Sequence, residues 1–171
     1  MRHIVLFFIL LIAFSSCEQK KVSLVSEDLT SKIIKPSETP HLTFKEKYYV
    51  AAYSDLYYQE GNDKFQCTVI LSLRNVSTTD TLYFTTADYY DSNGVLLRSY
   101  LKGETLELKP LESAEYIVEK RESLGGVGAN FIVKYGTTST PKNKALIEAI
   151  NIGNFSQHGF SFKSNAILIN E

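Results

Sequence analysis

Residues 64–74 read KFQCTVILSLR, and their alternation decides the fold class. Phe65, Cys67, Val69, Leu71 and Leu73 are apolar, while Lys64, Gln66, Thr68, Ser72 and Arg74 between them are polar, with Ile70 the exception. A period of two over this length marks a strand with one face on a core and the other toward water. We take it as the central strand of one sheet and read the chain outward from it.

On its N-terminal side, Lys47 to Gln59 (KYYVAAYSDLYYQ) is rich in Tyr and ends in Glu60, Gly61, Asn62 and Asp63, a turn cluster directly before the central strand. The two stretches together predict a hairpin. In its first arm Val50, Ala52, Leu56 and Tyr58 share one parity, and Tyr49, Tyr53 and Tyr57 share the other.

Beyond Arg74 the pattern repeats. A polar loop (Asn75 to Asp80) precedes Thr81 to Tyr90, which is rich in Thr and aromatic residues as strands are. Asp91, Ser92, Asn93 and Gly94 predict a tight turn, with Val95 to Leu101 returning as the partner strand. Further strands are predicted at Thr105 to Leu108, Ala114 to Glu119, Asn130 to Tyr135 and Phe160 to Ile169, with a flexible glycine loop at Leu124 to Gly128. Ala145 to Ile152 fits two helical turns or a strand, and its all-strand surroundings favour the strand. Short strands at regular spacing with Gly, Asn, Asp and Pro turns predict an all-β antiparallel β-sandwich. An immunoglobulin-like order is expected, although the chain has no Trp and lacks the Cys and Trp landmarks of antibody domains.

The N-terminus is of another kind. Met1, Arg2 and His3 precede an apolar run from Ile4 to Phe14, then Ser15, Ser16 and Cys17. A basic start, a run too short to span a bilayer and small residues at its end make a secretory signal. FSSC resembles the lipobox of bacterial lipoproteins, in which the Cys is acylated and the chain is cut before it, although Phe14 stands where an aliphatic residue is usual. The division expected is therefore a lipoprotein signal peptide over 1–16, a lipidated Cys17 with a flexible polar tether over 17–40, and a β-sandwich domain over 41–171. Acyl chains contribute about 0.8 kcal/mol per buried methylene, so several on Cys17 hold the protein on a membrane without help from the domain.

Net charge is −1, so no broad field points to nucleic acid. Cys67 is the second of two cysteines, and its parity with Phe65 and Val69 marks a core thiol rather than a nucleophile. Three His at unrelated positions form no zinc pattern, and no cofactor is expected. Asp88, Asp91, Asn93 and Gly94 fail a calcium loop because Tyr89 and Tyr100 fall at ligand positions. Gly126 and Gly128 lack the strand-to-helix context of a phosphate loop. A hydrolase built on His158, with Ser156 or Ser161 and Asp55 or Asp88, is the alternative reading, and no nucleophile elbow supports it. Tyr49, Tyr53 and Tyr57 are the candidate binding face, since a ring with a polar tip suits a sugar or a partner protein.

From about Tyr48 to Ile169 the chain resembles an uncharacterised family of bacterial envelope proteins, a domain of unknown function. The likeness is carried, in order, by LSLRN (Leu71 to Asn75), YYDSNG (Tyr89 to Gly94), LKPLES (Leu108 to Ser113), GGVGANFIV (Gly125 to Val133), IEAINIG (Ile147 to Gly153) and the later HGFSF. The resemblance implies an extracytoplasmic domain and brings no catalytic residues with it. The function expected is that of a lipid-anchored, non-enzymatic module of the cell envelope, binding an envelope protein or a glycan.

Overall fold

The computed structural model describes residues 29–118, 125–155 and 157–170. Cys17 and the expected signal peptide over 1–16 lie outside these residues. The strands are β1 (Ile33–Ile34), β2 (Phe44–Ala51), β3 (Asp55–Tyr58), β4 (Asp63–Gln66), β5 (Thr68–Arg74), β6 (Leu82–Tyr90), β7 (Leu96–Ser99), β8 (Thr105–Leu108), β9 (Ser113–Val118), β10 (Asn130–Thr137), β11 (Leu146–Phe155), β12 (His158–Asn165) and β13 (Ile167–Leu168). A large sheet runs β1-β8-β6-β10-β2-β13, with β7 also paired to β6; a smaller one runs β12-β11-β5-β9; β3 and β4 form a separate hairpin. Every pairing is antiparallel, and the two sheets face each other as a β-sandwich.

Alternation explains what fills the space between the sheets. The small sheet contributes Val69, Leu71 and Leu73 from β5, Ala114 and Val118 from β9, and Ile147 and Ala149 from β11. Opposite them stand Val50, Phe84, Ala87, Leu106, Phe131, Val133 and Tyr135 of the large sheet. Each large apolar side chain so buried contributes about 1.5–3 kcal/mol. In β6 the buried set is Leu82 and Phe84 but then Ala87 and Tyr89, a change of parity. A bulge against Lys134 and Tyr135 of β10 supplies the extra residue that returns the chain to the core face.

β5 is interior to the small sheet, and β11 is a strand, as expected. Three expectations are corrected. Residues 64–74 are two strands, because the chain leaves the small sheet at Cys67, whose N–H turns to Ser54 O at 2.8 Å. The Tyr-rich arm likewise breaks after Ala51, and each backbone group freed there finds a new partner, as buried polar groups must. Ala52 N–H donates to Ala129 O (2.8 Å), Tyr53 N–H to the Asn151 side chain (2.9 Å) and Asp55 N–H to Gly126 O (3.4 Å).

The third correction concerns the tether, whose part from 29 to 40 docks on the domain. Ile33 and Ile34 pair with Leu106 and Thr105, Lys32 Nζ donates to Ser113 O at 2.7 Å, and Thr39 Oγ1 donates to Thr105 Oγ1 at 2.8 Å. Ile33 and Leu29 pack on the core, which an unattached spacer could not do.

Candidate functional site

The three tyrosines singled out by parity fall on three different segments. Tyr49 lies on β2, Tyr53 in the break between sheets, and Tyr57 on β3 of the hairpin. They do not form one face, because a shared parity requires an unbroken strand and this one ends at Ala51. Tyr53 nevertheless joins a cluster of rings that alternation alone could not show, and Tyr57 stands outside it on the hairpin.

In that cluster Tyr53 meets Phe162 edge-on with centroids 5.5 Å apart, and Phe162 stacks on Phe160 at 6.4 Å. Phe160 meets Phe65 at 5.2 Å, and Phe65 meets Tyr58 at 5.7 Å. Distances and angles of this kind suit attraction between ring edges and faces. Phe160 can lie flat over β11 only because residue 153 is glycine: a Cβ there would come within 2.3 Å of the ring. The hairpin is thereby fixed to β12 by side chains, although it shares no ladder with either sheet. Beyond the cluster Tyr57 stands 55% exposed, with Lys64 Nζ 4.7 Å from its ring centroid. Tyr58 donates to Asp63 Oδ2 at 3.1 Å, closing the hairpin.

A second place of interest is an open cleft of ≈ 720 Å³ beside the edge of β2, lined by Leu42, Phe44, Glu46, Lys134, Tyr135 and Leu168 among others. Its carboxylate is already committed. Glu46 Oε2 accepts from Tyr48 (2.6 Å) and Tyr135 (3.0 Å), and Oε1 accepts from Lys144. Burial opposes ionisation of Glu46, but the bonds from Lys144, Tyr48 and Tyr135 outweigh it and hold the carboxyl below its ordinary value. Burial, with the Glu46 charge behind it, pushes the Tyr48 hydroxyl up to about 12 and Tyr135 higher still. Through Lys144, and through Ala145 N–H donating to the Tyr135 hydroxyl at 3.3 Å, the group ties residues 144 and 145 to the sheets.

The remaining candidates are spread over β3, β6 and β12, with Asp55 opening β3 and Ser161 three residues after His158 on β12. His158 is exposed at the start of β12, Asp88 sits on β6 of the other sheet, and Ser156 lies outside the described residues. Asp91 uses its carboxylate within its own turn, accepting from the N–H groups of Val95 and Asn93 at 2.8 Å each, and these bonds hold it below the ordinary carboxyl range. Among the described residues no group of three His, Cys, Asp or Glu could hold a metal ion. Cys67 is a buried thiol outside any disulfide.

Residues 125–128 of the glycine loop, expected to be flexible, are pinned. Ser92 donates from N and Oγ to Gly125 O at 2.8 Å each and accepts from Gly128 N at 2.9 Å, while Ser54 donates to Gly126 O at 3.0 Å. At residue 125 a Cβ would sit 2.1 Å from the Tyr89 hydroxyl, so only glycine closes this contact. The same holds for the other distinctive segments: they meet in pairs. Asn75 of LSLRN donates to Leu108 O (2.9 Å) and Lys109 O (3.0 Å) of LKPLES, and to Asp80 O at 2.7 Å. YYDSNG meets GGVG through Ser92, and IEAINIG pairs with HGFSF as β11 and β12. The segments that carry the family likeness thus latch loops and strands together.

No curated protein and no solved structure matches the chain. One family model does, over residues 45–169, which takes in every strand from β3 to β13 and most of β2. On that match the chain belongs to the family described as protein of unknown function, DUF3124.

Proposed function

We propose that this protein is a lipid-anchored, non-enzymatic module of the bacterial cell envelope, held at a membrane through acylated Cys17, and that its hairpin end binds an envelope protein or a glycan. The observation that carries the binding reading is the exposed Tyr57 and Lys64 pair standing on five packed aromatic rings. A tyrosine has few side-chain torsions to lose, and here its strand is seated by the rings beneath it, so little ordering remains to oppose association. An aromatic face beside a cation suits either a sugar ring or a protein surface. The basic start, short apolar run and Cys17 support the anchor.

The test uses the full-length protein in detergent, offered separately to immobilised cell-wall glycan and to a detergent extract of envelope proteins. The pair Tyr57→Ala and Lys64→Ala should weaken capture in the binding arm by at least about tenfold, or 1.4 kcal/mol. Unchanged capture, or wild-type protein that binds in neither arm, overturns the reading. Cys17→Ser should move the protein from the membrane to the soluble fraction, and persistence in the membrane would refute acylation.

A further inference from the structure

The sheet edges of this sandwich are unequally protected. On the large sheet the outer strands are short: β1 and β13 have two residues each, and β7, paired only to β6, has four. On the small sheet β9 is capped by side chains. Asn75 N–H donates to Glu112 O, which sets the ladder phase so that Ser113, Glu115 and Ile117 face outward. Of these, Ser113 O is taken by Lys32 Nζ (2.7 Å) and Ile117 O by the Tyr100 hydroxyl (3.4 Å).

The opposite edge, β12, has eight residues, contains no Pro and carries no such cap. Ala166 N–H donates to Ile147 O, so the residues of β12 bonded to β11 are His158, Phe160, Phe162 and Ser164. Gly159, Ser161, Lys163 and Asn165 therefore turn their N–H and C=O groups outward, and among the described residues nothing receives them. Lys163 is the only Lys, Arg, Asp or Glu on the strand, and it is drawn back over β11 by its ion pair with Glu148. Long edges left open in this way are templates for another strand.

We propose that β12 pairs with β12 of a second copy of this chain, joining the two small sheets into one continuous sheet across a two-fold axis. The occupant follows from the strand's own sequence. With the axis at Phe162, Gly159 faces Asn165 of the second copy and Ser161 faces Lys163, so all four outward residues of each strand find partners. No like charges oppose each other in this register, and the two Phe162 rings meet at the axis, the kind of cross-strand aromatic pair that stabilises antiparallel ladders. Moving the axis one residue toward the C-terminus, to Lys163, would set two lysines opposite. A pairing of this kind is self-complementary, as a two-fold interface requires.

The test is the mass and cross-linking of the full-length protein in detergent. The wild type should run as a dimer by light scattering. Ser161→Pro removes an outward N–H while leaving every bond to β11, so it should give a folded monomer, with the fold checked by an unchanged circular dichroism spectrum. Mixed Ser161→Cys and Lys163→Cys proteins should form a disulfide with each other, and neither should do so alone. A monomeric wild type, a Ser161→Pro protein that stays dimeric, or a disulfide formed by Ser161→Cys with itself would overturn the pairing. A monomer whose Ser161→Cys becomes linked to a different envelope protein would overturn it too, in favour of strand addition by that protein.

Discussion

β5 and β4 are consecutive pieces of one alternating stretch, and they have opposite fates. β5 lies inside the small sheet between β11 and β9, with Val69, Leu71 and Leu73 fully buried. β4, one residue away across Cys67, pairs only with β3, and its Phe65 is half-buried against Phe160. The difference teaches that alternation assigns a residue to a face but not to a sheet. What separates the pieces is the number of layers that cover them: a second sheet lies over β5, and only a row of rings lies under β4.

The comparison can be broken most forcefully at Leu71. Leu71→Ala leaves a cavity between the sheets and should cost about 3 kcal/mol, read as a lower midpoint of urea unfolding. If Phe65→Ala cost as much, the hairpin would be part of the core and the contrast would fail. The next effect belongs to the tie around Glu46, at the far end of the neighbouring arm. Glu46→Gln removes the charge that receives Tyr48, Tyr135 and Lys144 and should cost about 1–2 kcal/mol at neutral pH. Because the native carboxyl lies below its ordinary 4.5, its contribution is complete above pH 4.5 and is lost as the pH falls through the native value. Tyr48 behaves in the opposite sense. Raised from 10.0 to about 12, it contributes fully below pH 10 and loses that contribution as the pH rises toward about 12. Thermal melts across pH should therefore show both flanks in the wild type, with the acid flank flattened in Glu46→Gln. The smallest effect sharpens the contrast: Tyr57→Ala, on the exposed side of the hairpin, should leave stability within about 0.5 kcal/mol of the wild type. A larger loss would mean that the hairpin is held by Tyr57 rather than by the rings beneath it.

The open edge of β12 and the aromatic cluster share Phe160 and Phe162 but make separate demands. The cluster presents Tyr57 and Lys64 at the hairpin, whereas self-pairing uses main-chain groups from Gly159 to Asn165. Substitutions at Tyr57 and at Ser161 should therefore fail independently, one in capture and the other in mass.

What the residues determined by themselves is local. The period of two at β5, β10 and β11, the Asp91 to Gly94 turn and the polar turn before β4 follow from side-chain alternation and turn chemistry, which need no distant partner. The proposal that the short apolar run before Cys17 is a signal rests on the same local logic. Only the tertiary structure decided that the chain changes sheets at Tyr53 and Cys67, that residues 29–40 dock, and that five rings from four segments gather at one end. Each of these depends on hydrogen bonds and packing between residues far apart in the chain, Tyr53 with Asn151 and Lys32 with Ser113 among them. Alternation repeats every two residues and carries no record of which strand will lie alongside.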